Sequence, residues 1–224
     1  MRTNFEDQRR DLVKRLVREG YIRSKLVAKA FSKVPREKFV PPRYREYSYY
    51  DTPLPTLKGQ TISAPHMCAI MCEELDLKPG DFVLEVGTGS GYHAALCAEI
   101  VARSGDEKRG HVCSIEIDKD LTKFAYENLK TSGYDLDVSV VCGDGSFTPP
   151  FRYKFNKILV TAAAPRIPNR LLESLEIGGT MVIPIGTEFM QELSVVIKRR
   201  DGVIVMSAGP CVFVKLRGVD GFSY

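Results

Sequence analysis

The chain has 224 residues, of which 44% are apolar and 27% are charged, a composition typical of one globular domain with a complete hydrophobic core. No apolar run reaches the 18 residues that a membrane helix needs, and residues 1–15 contain no apolar signal core. These features argue against a membrane protein and against an exported one, so we expect a cytoplasmic protein and favour a monomer.

The net charge of +4 is concentrated in residues 1–46, which hold 14 Lys and Arg against 6 Asp and Glu. These charges alternate with apolar positions in a helical pattern, which is more typical of a solvated helix face than of a nucleic-acid-binding arm. The six cysteines lie mostly in apolar runs without paired CxxC spacing. That distribution favours buried thiols in a reducing compartment and predicts no metal site.

The N-terminal part is predicted to be helical. Residues 4–20 carry one apolar stripe between a capping Asn4 and a terminating Gly20, and residues 24–33 form a second helix. Residues 41–65 contain five prolines and a cluster of tyrosines, which indicates an ordered loop laid across another part of the molecule.

From residue 57 onward, strands and helices alternate. The predicted strands are 82–87, 111–117, 137–144, 157–162 and 180–186, and the predicted helices are 65–77, 92–101, 121–132 and 168–175. Residues 192–198 and 202–208 flank a turn and predict an antiparallel hairpin. The chain is therefore predicted to be a single α/β domain, 1–224, with a Rossmann-like, mostly parallel sheet and an antiparallel C-terminal hairpin. Within it, residues 1–56 form a helical and lid region packed on a cofactor-binding core, 57–224.

The segment LEVGTGSGY (84–92) places glycines between a strand and a helix, where backbone without side chains lets a ligand approach the helix N-terminus. Its spacing is GxGxG, formed by Gly87, Gly89 and Gly91 after the acidic Glu85. A dinucleotide-binding motif would carry its third glycine at Tyr92. The spacing therefore favours a nucleoside that carries an amino acid over a pyrophosphate.

Acidic residues at the ends of two further strands are candidates for the same ligand. Glu116 ends the second strand, where a carboxylate can accept both ribose hydroxyls of an adenosine, and Asp118 is the competing acid that more simply caps the next helix. Asp144 and Gly145 follow the third strand, where Asp144 would meet the adenine amino group or serve only as a turn residue.

The segment GQTISAPHM (59–67) is not required by the fold. It brings hydroxyls and backbone N–H groups to the start of a helix that opens at Pro65, an arrangement suited to an anion.

At this point the chain closely resembles protein-L-isoaspartate O-methyltransferases, along nearly its whole length. The resemblance rests on these segments: VPREKFVPP (34–42), DTPLP (51–55), GQTISAPHM (59–67), LEVGTGSGY (84–92), CGDG (142–145), TAAAPRIP (161–168), LEIGGTMVIPIG (175–186) and QEL (191–193). It implies methyl transfer from S-adenosyl-L-methionine to the free α-carboxylate of L-isoaspartyl residues in damaged proteins and peptides. A succinimide then closes spontaneously and part of it hydrolyses to normal aspartate.

The resemblance also implies roles for individual residues. Ser63 is the expected active-site residue, and Ala64 and Pro65 are expected beside it at the acceptor. The expected cofactor-binding residues are Thr61, Ile62, His66, Glu85, Gly87, Gly89, Gly91, Glu116, Asp144 and Gly145. Two positions depart from the family pattern: Cys68 stands where many members carry His, and His93 where Gln is frequent. Both His66 and His93 could also be ordinary hydrogen-bonded histidines.

The expected chemistry needs little from the protein. An α-carboxylate, with an ordinary pKa of about 3.3–3.7, is already ionised at neutral pH, so no general base is required. The protein must align the carboxylate oxygen with the methyl group and remove the water between them. The Ser63 hydroxyl would orient the carboxylate without pairing with it as tightly as an Arg or Lys would.

Two other functions compete with this interpretation. A nucleic-acid methyltransferase would share the cofactor fold, but the TPPF segment (148–151) precedes the strand 157–162 that an amino-methylase motif should follow. The tyrosines at 43–50 could stack single-stranded bases, although a lid over the cofactor is the better interpretation of that proline-rich segment. A non-catalytic binding module is opposed by the joint presence of the glycine loop and Ser63.

Overall fold

The computed structural model describes residues 4–104, 109–147 and 153–222. Its centre is a seven-stranded sheet in the order β5-β4-β3-β6-β7-β8-β9. The strands are β3 (Phe82–Val86), β4 (His111–Glu116), β5 (Val138–Cys142), β6 (Phe155–Val160), β7 (Leu175–Gly186), β8 (Gln191–Arg199) and β9 (Gly202–Cys211). Strands β3 to β7 run parallel, and β8 and β9 continue the sheet antiparallel. The predicted α/β sheet with its C-terminal hairpin is confirmed.

Six helices accompany the sheet in the described part of the chain. They are α1 (Phe5–Arg18), α2 (Lys25–Lys33), α3 (Pro65–Leu75), α4 (Tyr92–Val101), α5 (Lys119–Thr131) and α6 (Asn169–Ser174). All ten residues of α4 are buried, which explains its apolar character on every side. It lies between the sheet and α2, so the N-terminal helices share one apolar core with the strands.

The N-terminal helices begin where the sequence predicts. The Asn4 side chain accepts a hydrogen bond from the backbone N–H of Asp7, and the Ser24 side chain accepts one from Val27. Each cap satisfies one of the N–H groups that a helix start leaves without a partner.

The proline-rich segment is ordered, as expected, but it contains short elements rather than a plain loop. Three 3-10 turns occur at Arg36–Lys38, Pro42–Tyr47 and Leu57–Gly59, and β1 (Leu54–Pro55) pairs antiparallel with β2 (Thr61–Ile62). This small hairpin leads directly into α3, so it determines where residues 61–65 lie.

Strand β7 begins at Leu175, five residues earlier than predicted. The pairing of β6 with β7 shifts register between Phe155 and Lys157, and the glycines at 178 and 179 permit the irregularity. A Cβ on Gly179 would lie 2.8 Å from the carbonyl oxygen of Asn156. The strand therefore continues through both glycines as a bulge.

The sequence predicts no membrane helix and no metal site. None of the helices in the described ranges is long and apolar enough to cross a membrane. Within the same ranges, no group of three or more His, Cys, Asp or Glu side chains is placed to hold a metal ion, and the six cysteines are free. The TPPF segment lies outside the described residues.

Candidate active site

Three adjoining cavities lie at the carboxyl ends of the central parallel strands, and all three are bordered by Thr61 and Thr161. We call them the strand-end, middle and outer cavities. The strand-end cavity is further bordered by Val86, Gly87, Gly89, Ile115, Glu116, Ile117, Gly145 and residues 214–217. The middle cavity adds Ile62, Ser63, Cys68, Thr88, Ser90, Tyr92 and His93. The outer cavity adds Pro53, Ser63, Ala64, His66, Met67 and residues 210–214. Ligands of open α/β sheets bind at this edge.

The glycine loop borders both inner cavities, and its conformation requires glycine. Gly87 has φ of 97°, and a Cβ there would lie 2.4 Å from Oγ1 of Thr161. That hydroxyl donates a hydrogen bond of 2.5 Å to the carbonyl oxygen of Gly87. Gly89 has φ of 56°, and a Cβ there would meet nothing within 4 Å. The loop is therefore held from behind by Thr161 and open in front, as a ligand cradle requires.

Glu116 is 5% exposed and borders the strand-end cavity. Its Oε2 accepts a hydrogen bond of 2.9 Å from the backbone N–H of Gly89, and its Oε1 accepts one of 3.1 Å from Asp118. Asp118 caps α5 through its side chain, which is the alternative role that the sequence suggested for it. Glu116 therefore links the ends of β3 and β4 at the cavity edge, where its remaining lone pairs can accept ribose hydroxyls.

Glu85 lies behind the cavities rather than on their surface. It is fully buried; its Oε2 accepts a hydrogen bond from the Ser114 hydroxyl, and its Oε1 has no partner among the described residues. Burial raises the pKa of Glu85 to about 8, against the opposing effect of the Ser114 hydrogen bond. The Ser114 hydroxyl is 2.6 Å from Oγ1 of Thr88, which borders the middle cavity. Any influence of Glu85 on a ligand there would pass through this chain of hydroxyls.

Asp144 is occupied by hydrogen bonds from the protein. Its Oδ1 accepts from the backbone N–H and the hydroxyl of Ser146, at 2.9 and 2.6 Å, and its Oδ2 accepts from the backbone N–H of Val219 at 2.8 Å. Burial would raise the pKa of Asp144, but these hydrogen bonds outweigh it and lower the pKa. The next residue, Gly145, borders the strand-end cavity, and a Cβ on it would lie 2.7 Å from the Val86 side chain. Asp144 thus anchors the C-terminal segment that forms one cavity wall.

Ser63 borders both the middle and the outer cavity, between β2 and the start of α3. Its carbonyl oxygen accepts a hydrogen bond of 2.8 Å from Nη2 of Arg36. Within the described ranges, no hydrogen bond engages its hydroxyl. The hydroxyl is therefore available to a ligand at the junction of the two cavities, while the backbone that carries it is fixed.

His66 lies on the outer side of this junction. Its Nδ1 and its backbone N–H both lie 2.9 Å from Oδ1 of Asp51. The hydrogen bond with Asp51 raises the pKa of His66, which favours the charged imidazolium. The outer cavity beside it measures about 270 Å³, against about 70 and 40 Å³ for the strand-end and middle cavities. This is the side with room for a peptide.

The two departures from the family pattern, Cys68 and His93, both border the middle cavity. Nε2 of His93 lies 3.3 Å from Sγ of Cys72, and burial lowers the pKa of His93 to about 3. Burial also raises the pKa of Cys68 to about 12. Both side chains are therefore neutral at physiological pH.

The structure brings most of the predicted site residues to the three cavities. Four of the predicted residues do not border a cavity: Glu85, Asp144, Pro65, and Gly91, which caps α4 and packs against Leu129. Pro65 is buried as the first residue of α3. The roles assigned to all of these residues remain predictions.

Several bordering residues were not selected from the sequence. Thr161 lies within the quoted TAAAPRIP segment, and Thr88 within LEVGTGSGY, but neither residue type signals a contact by itself. Residues 214–217 complete the strand-end cavity because the backbone of Val214 and Leu216 pairs with Ala163. Residues 212–217 thus border two cavities and also make this bridge.

The site can hold a nucleoside at the strand ends and a second, anionic group at Ser63, with the glycine loop between them. Comparison with known proteins identifies the family to which this chain is similar. A family model described as protein-L-isoaspartate(D-aspartate) O-methyltransferase matches residues 7–220. The chain is 54% identical to the protein-L-isoaspartate O-methyltransferase of Hyperthermus butylicus over 97% of this chain and 92% of the relative. It is 50% identical to that of Staphylothermus marinus, over 99% of both chains.

A solved structure is also similar. It is a protein-L-isoaspartate O-methyltransferase from Plasmodium falciparum in complex with S-adenosyl-L-homocysteine, with a TM-score of 0.82 and 30% identity. The match covers 92% of this chain and 97% of that one.

Proposed function

The chain belongs to the protein-L-isoaspartate(D-aspartate) O-methyltransferase family, and from that membership we propose which residues carry out the reaction. It is a methyltransferase that uses S-adenosyl-L-methionine and acts on isoaspartyl residues in protein repair. We assign the nucleoside to the strand-end cavity, the methionine end to the middle cavity and the isoaspartyl peptide to the outer cavity.

The observation that carries this assignment is the position of Ser63 at the junction of the middle and outer cavities. A methyl donor in one cavity and a carboxylate in the other would meet beside its hydroxyl. Bound S-adenosyl-L-methionine supplies an electrophilic methyl group on a sulfonium that is its own leaving group.

The residues present fit that cofactor. Gly87 and Gly89 offer bare backbone, Thr61 and Ile62 close the opposite side, and Glu116 stands where ribose hydroxyls would bind. We assign Gly145 to the adenine side, because it borders the strand-end cavity to which we assign the nucleoside.

On the acceptor side, we assign three neighbouring residues to the peptide. Ser63 donates a hydrogen bond that orients the carboxylate, which needs no base because it is already ionised. Ala64 and the helix start at Pro65 place backbone beside it. His66 also belongs to this side, because it borders the outer cavity and neither inner one.

We further propose that the chain is one domain, in which residues 1–56 form a helical and lid region over the core. The shared apolar core of α1, α2 and the sheet supports this proposal. We favour a monomer that acts on isoaspartyl proteins and not on nucleic acid. The six free cysteines suit the reducing conditions of the cytoplasm.

The experiment is transfer of labelled methyl from S-adenosyl-L-methionine to a synthetic peptide that contains L-isoaspartate. A twin peptide with normal L-aspartate and a single-stranded oligonucleotide serve as controls. Base-labile labelling of the isoaspartyl peptide alone is the expected result. A labelled oligonucleotide with an unlabelled isoaspartyl peptide would overturn the acceptor assignment and leave the cofactor site in place.

A further inference from the structure

The guanidinium of Arg36 is completely buried, and no Asp or Glu side chain in the described ranges lies within ion-pair distance of it. Its Nη1 atom also has no hydrogen-bond partner there. A guanidinium stays protonated in proteins, and a buried charge without a partner is costly. Packing alone therefore does not explain why this charged side chain is buried.

The contacts of Arg36 join three parts of the active site. Nε donates a hydrogen bond of 2.8 Å to the carbonyl oxygen of Ser48, in the proline-rich segment. Nη2 donates the hydrogen bond of 2.8 Å to the carbonyl oxygen of Ser63. The guanidinium carbon lies 4.7 Å from the ring centroid of Tyr92, the first residue of α4 after the glycine loop. Ser63 and Tyr92 both border the middle cavity, so the charge lies directly behind its wall.

The side chains around this charge do not neutralise it. Burial raises the pKa of Cys68 to about 12 and lowers that of His93 to about 3, so both are neutral. Burial also raises the pKa of the Tyr92 phenol, so it carries no negative charge at neutral pH. Among the described residues, none of these neighbours supplies a negative charge to Arg36, which leaves its charge available to an anion in the site.

We propose that Arg36 is a positioning residue for the acceptor: it fixes Ser63 through the serine carbonyl, and its unpaired charge makes the site prefer a carboxylate over a neutral group. The inference rests on the function proposed above. Because the charge acts from behind the wall, it favours binding without the close pairing that would weaken the nucleophile. The methyl ester formed by the reaction is neutral and loses this attraction, which favours its release.

The test compares two peptides of the same sequence, one with L-isoaspartate and one with its stable, neutral α-carboxamide. Their dissociation constants are measured with enzyme saturated with S-adenosyl-L-homocysteine, and the preference is the ratio of the two constants. Arg36→Gln removes the charge and keeps an amide donor, whereas Arg36→Lys keeps the charge and loses the two-carbonyl bridge. If Arg36 had only a structural role, its substitution would weaken the binding of both peptides alike and leave the ratio of their dissociation constants unchanged.

We expect the wild-type protein to prefer the carboxylate, Arg36→Gln to lower the ratio about tenfold, and Arg36→Lys to keep it within about twofold. Turnover by Arg36→Lys should fall, because Ser63 is less well fixed. An unchanged ratio in Arg36→Gln would overturn the inference, as would equal wild-type affinity for the two peptides, a result that needs no variant to fold.

The affinity for S-adenosyl-L-homocysteine shows whether Arg36 acts on the cofactor and not on the peptide. If Arg36→Gln weakens that affinity about tenfold and leaves the peptide ratio unchanged, the charge serves the carboxylate of the cofactor, and the inference fails. Absence of methyl transfer by the wild-type protein would instead reject the proposed function itself.

Discussion

Oδ1 of Asp51 lies 2.9 Å from both the Nδ1 atom and the backbone N–H of His66, so one carboxylate oxygen holds the first turn of α3 and the imidazole together. Asp51 belongs to the proline-rich segment, and His66 borders the outer cavity. The pair therefore ties the proline-rich segment to the edge of the outer cavity.

The first prediction concerns the titration of this pair. Hydrogen bonding to Asp51 raises the pKa of His66; burial would raise the pKa of Asp51, but the hydrogen bonds from His66 lower it. We expect Asp51→Asn to bring the pKa of His66 down towards 6.5. Nuclear magnetic resonance can follow the titration of His66. Burial lowers the pKa of the other two histidines, His93 and His111, so their signals change at lower pH.

The pair also makes stability depend on pH. The raised pKa of His66 contributes stability below about pH 6.5, and this contribution is lost as the pH rises through the pKa of His66 in the folded protein. The lowered pKa of Asp51 contributes stability above about 3.9 that is lost as pH falls. The decrease in the free energy of unfolding caused by Asp51→Asn should therefore be largest between about pH 4 and 6.5. Asp76→Asn, at an exposed left-handed position, is the control; an equal pH profile in both variants would contradict the prediction.

How much of this site the sequence can show depends on the kind of interaction. The glycine loop and Glu116 follow from the order of strands and helices, because a parallel sheet gathers its strand ends at one edge. Glu85 occurs in the same motif, but whether its side chain faces the cavity or the interior depends on the strand's pleat and on Ser114 of the neighbouring strand. Arg36 and Ser63 are 27 positions apart, and only the folded chain shows that they touch.

The second prediction uses the buried carboxyl of Glu85. Because burial raises its pKa from 4.5 to about 8, the unfolded chain releases this proton over that pH range while the folded chain keeps it. Stability of the ligand-free protein should therefore decrease as pH rises from about 4.5 to 8. Glu85→Gln mimics the protonated form and should remove this component, so its stability relative to wild type should increase across the same range. Denaturant unfolding at several pH values measures this, with the exposed Glu176→Gln as control.

The third prediction distinguishes two roles for Asp144. Its oxygens already accept hydrogen bonds from Ser146 and Val219, so we expect Asp144→Ala to act by loosening the C-terminal wall of the strand-end cavity. S-adenosylhomocysteine and its inosine analogue, which lacks the adenine amino group, should then lose affinity by the same factor. A loss confined to the adenosine form would support direct adenine recognition instead. Asp135→Ala, an exposed turn substitution, controls for general effects.

The fourth prediction concerns the cofactor. Glu116→Ala removes the acceptor that we assign to the ribose hydroxyls, together with the hydrogen bond from the N–H of Gly89. Charge-assisted hydrogen bonds of this kind contribute about 1–3 kcal/mol, so affinity for S-adenosylhomocysteine should fall about 5- to 150-fold. Calorimetry gives the constant directly, and the exposed Glu127→Ala should leave it unchanged. Unaltered binding by Glu116→Ala would remove this residue from the site.

The fifth prediction tests the acceptor side alone. Ser63→Ala deletes the hydroxyl at the junction of the middle and outer cavities and leaves the carbonyl that Arg36 holds, so the backbone should keep its position. Loss of one hydrogen bond to a carboxylate corresponds to a decrease of about 10- to 150-fold in kcat/KM for the isoaspartyl peptide.

Affinity of this variant for S-adenosylhomocysteine should stay within about twofold of wild type, because we assign the hydroxyl to the acceptor alone. Ser32→Ala, on the exposed face of α2, should change neither quantity. If cofactor affinity falls in step with kcat/KM, then Ser63 acts on the methyl donor, and the middle cavity rather than the outer one is where its hydroxyl points.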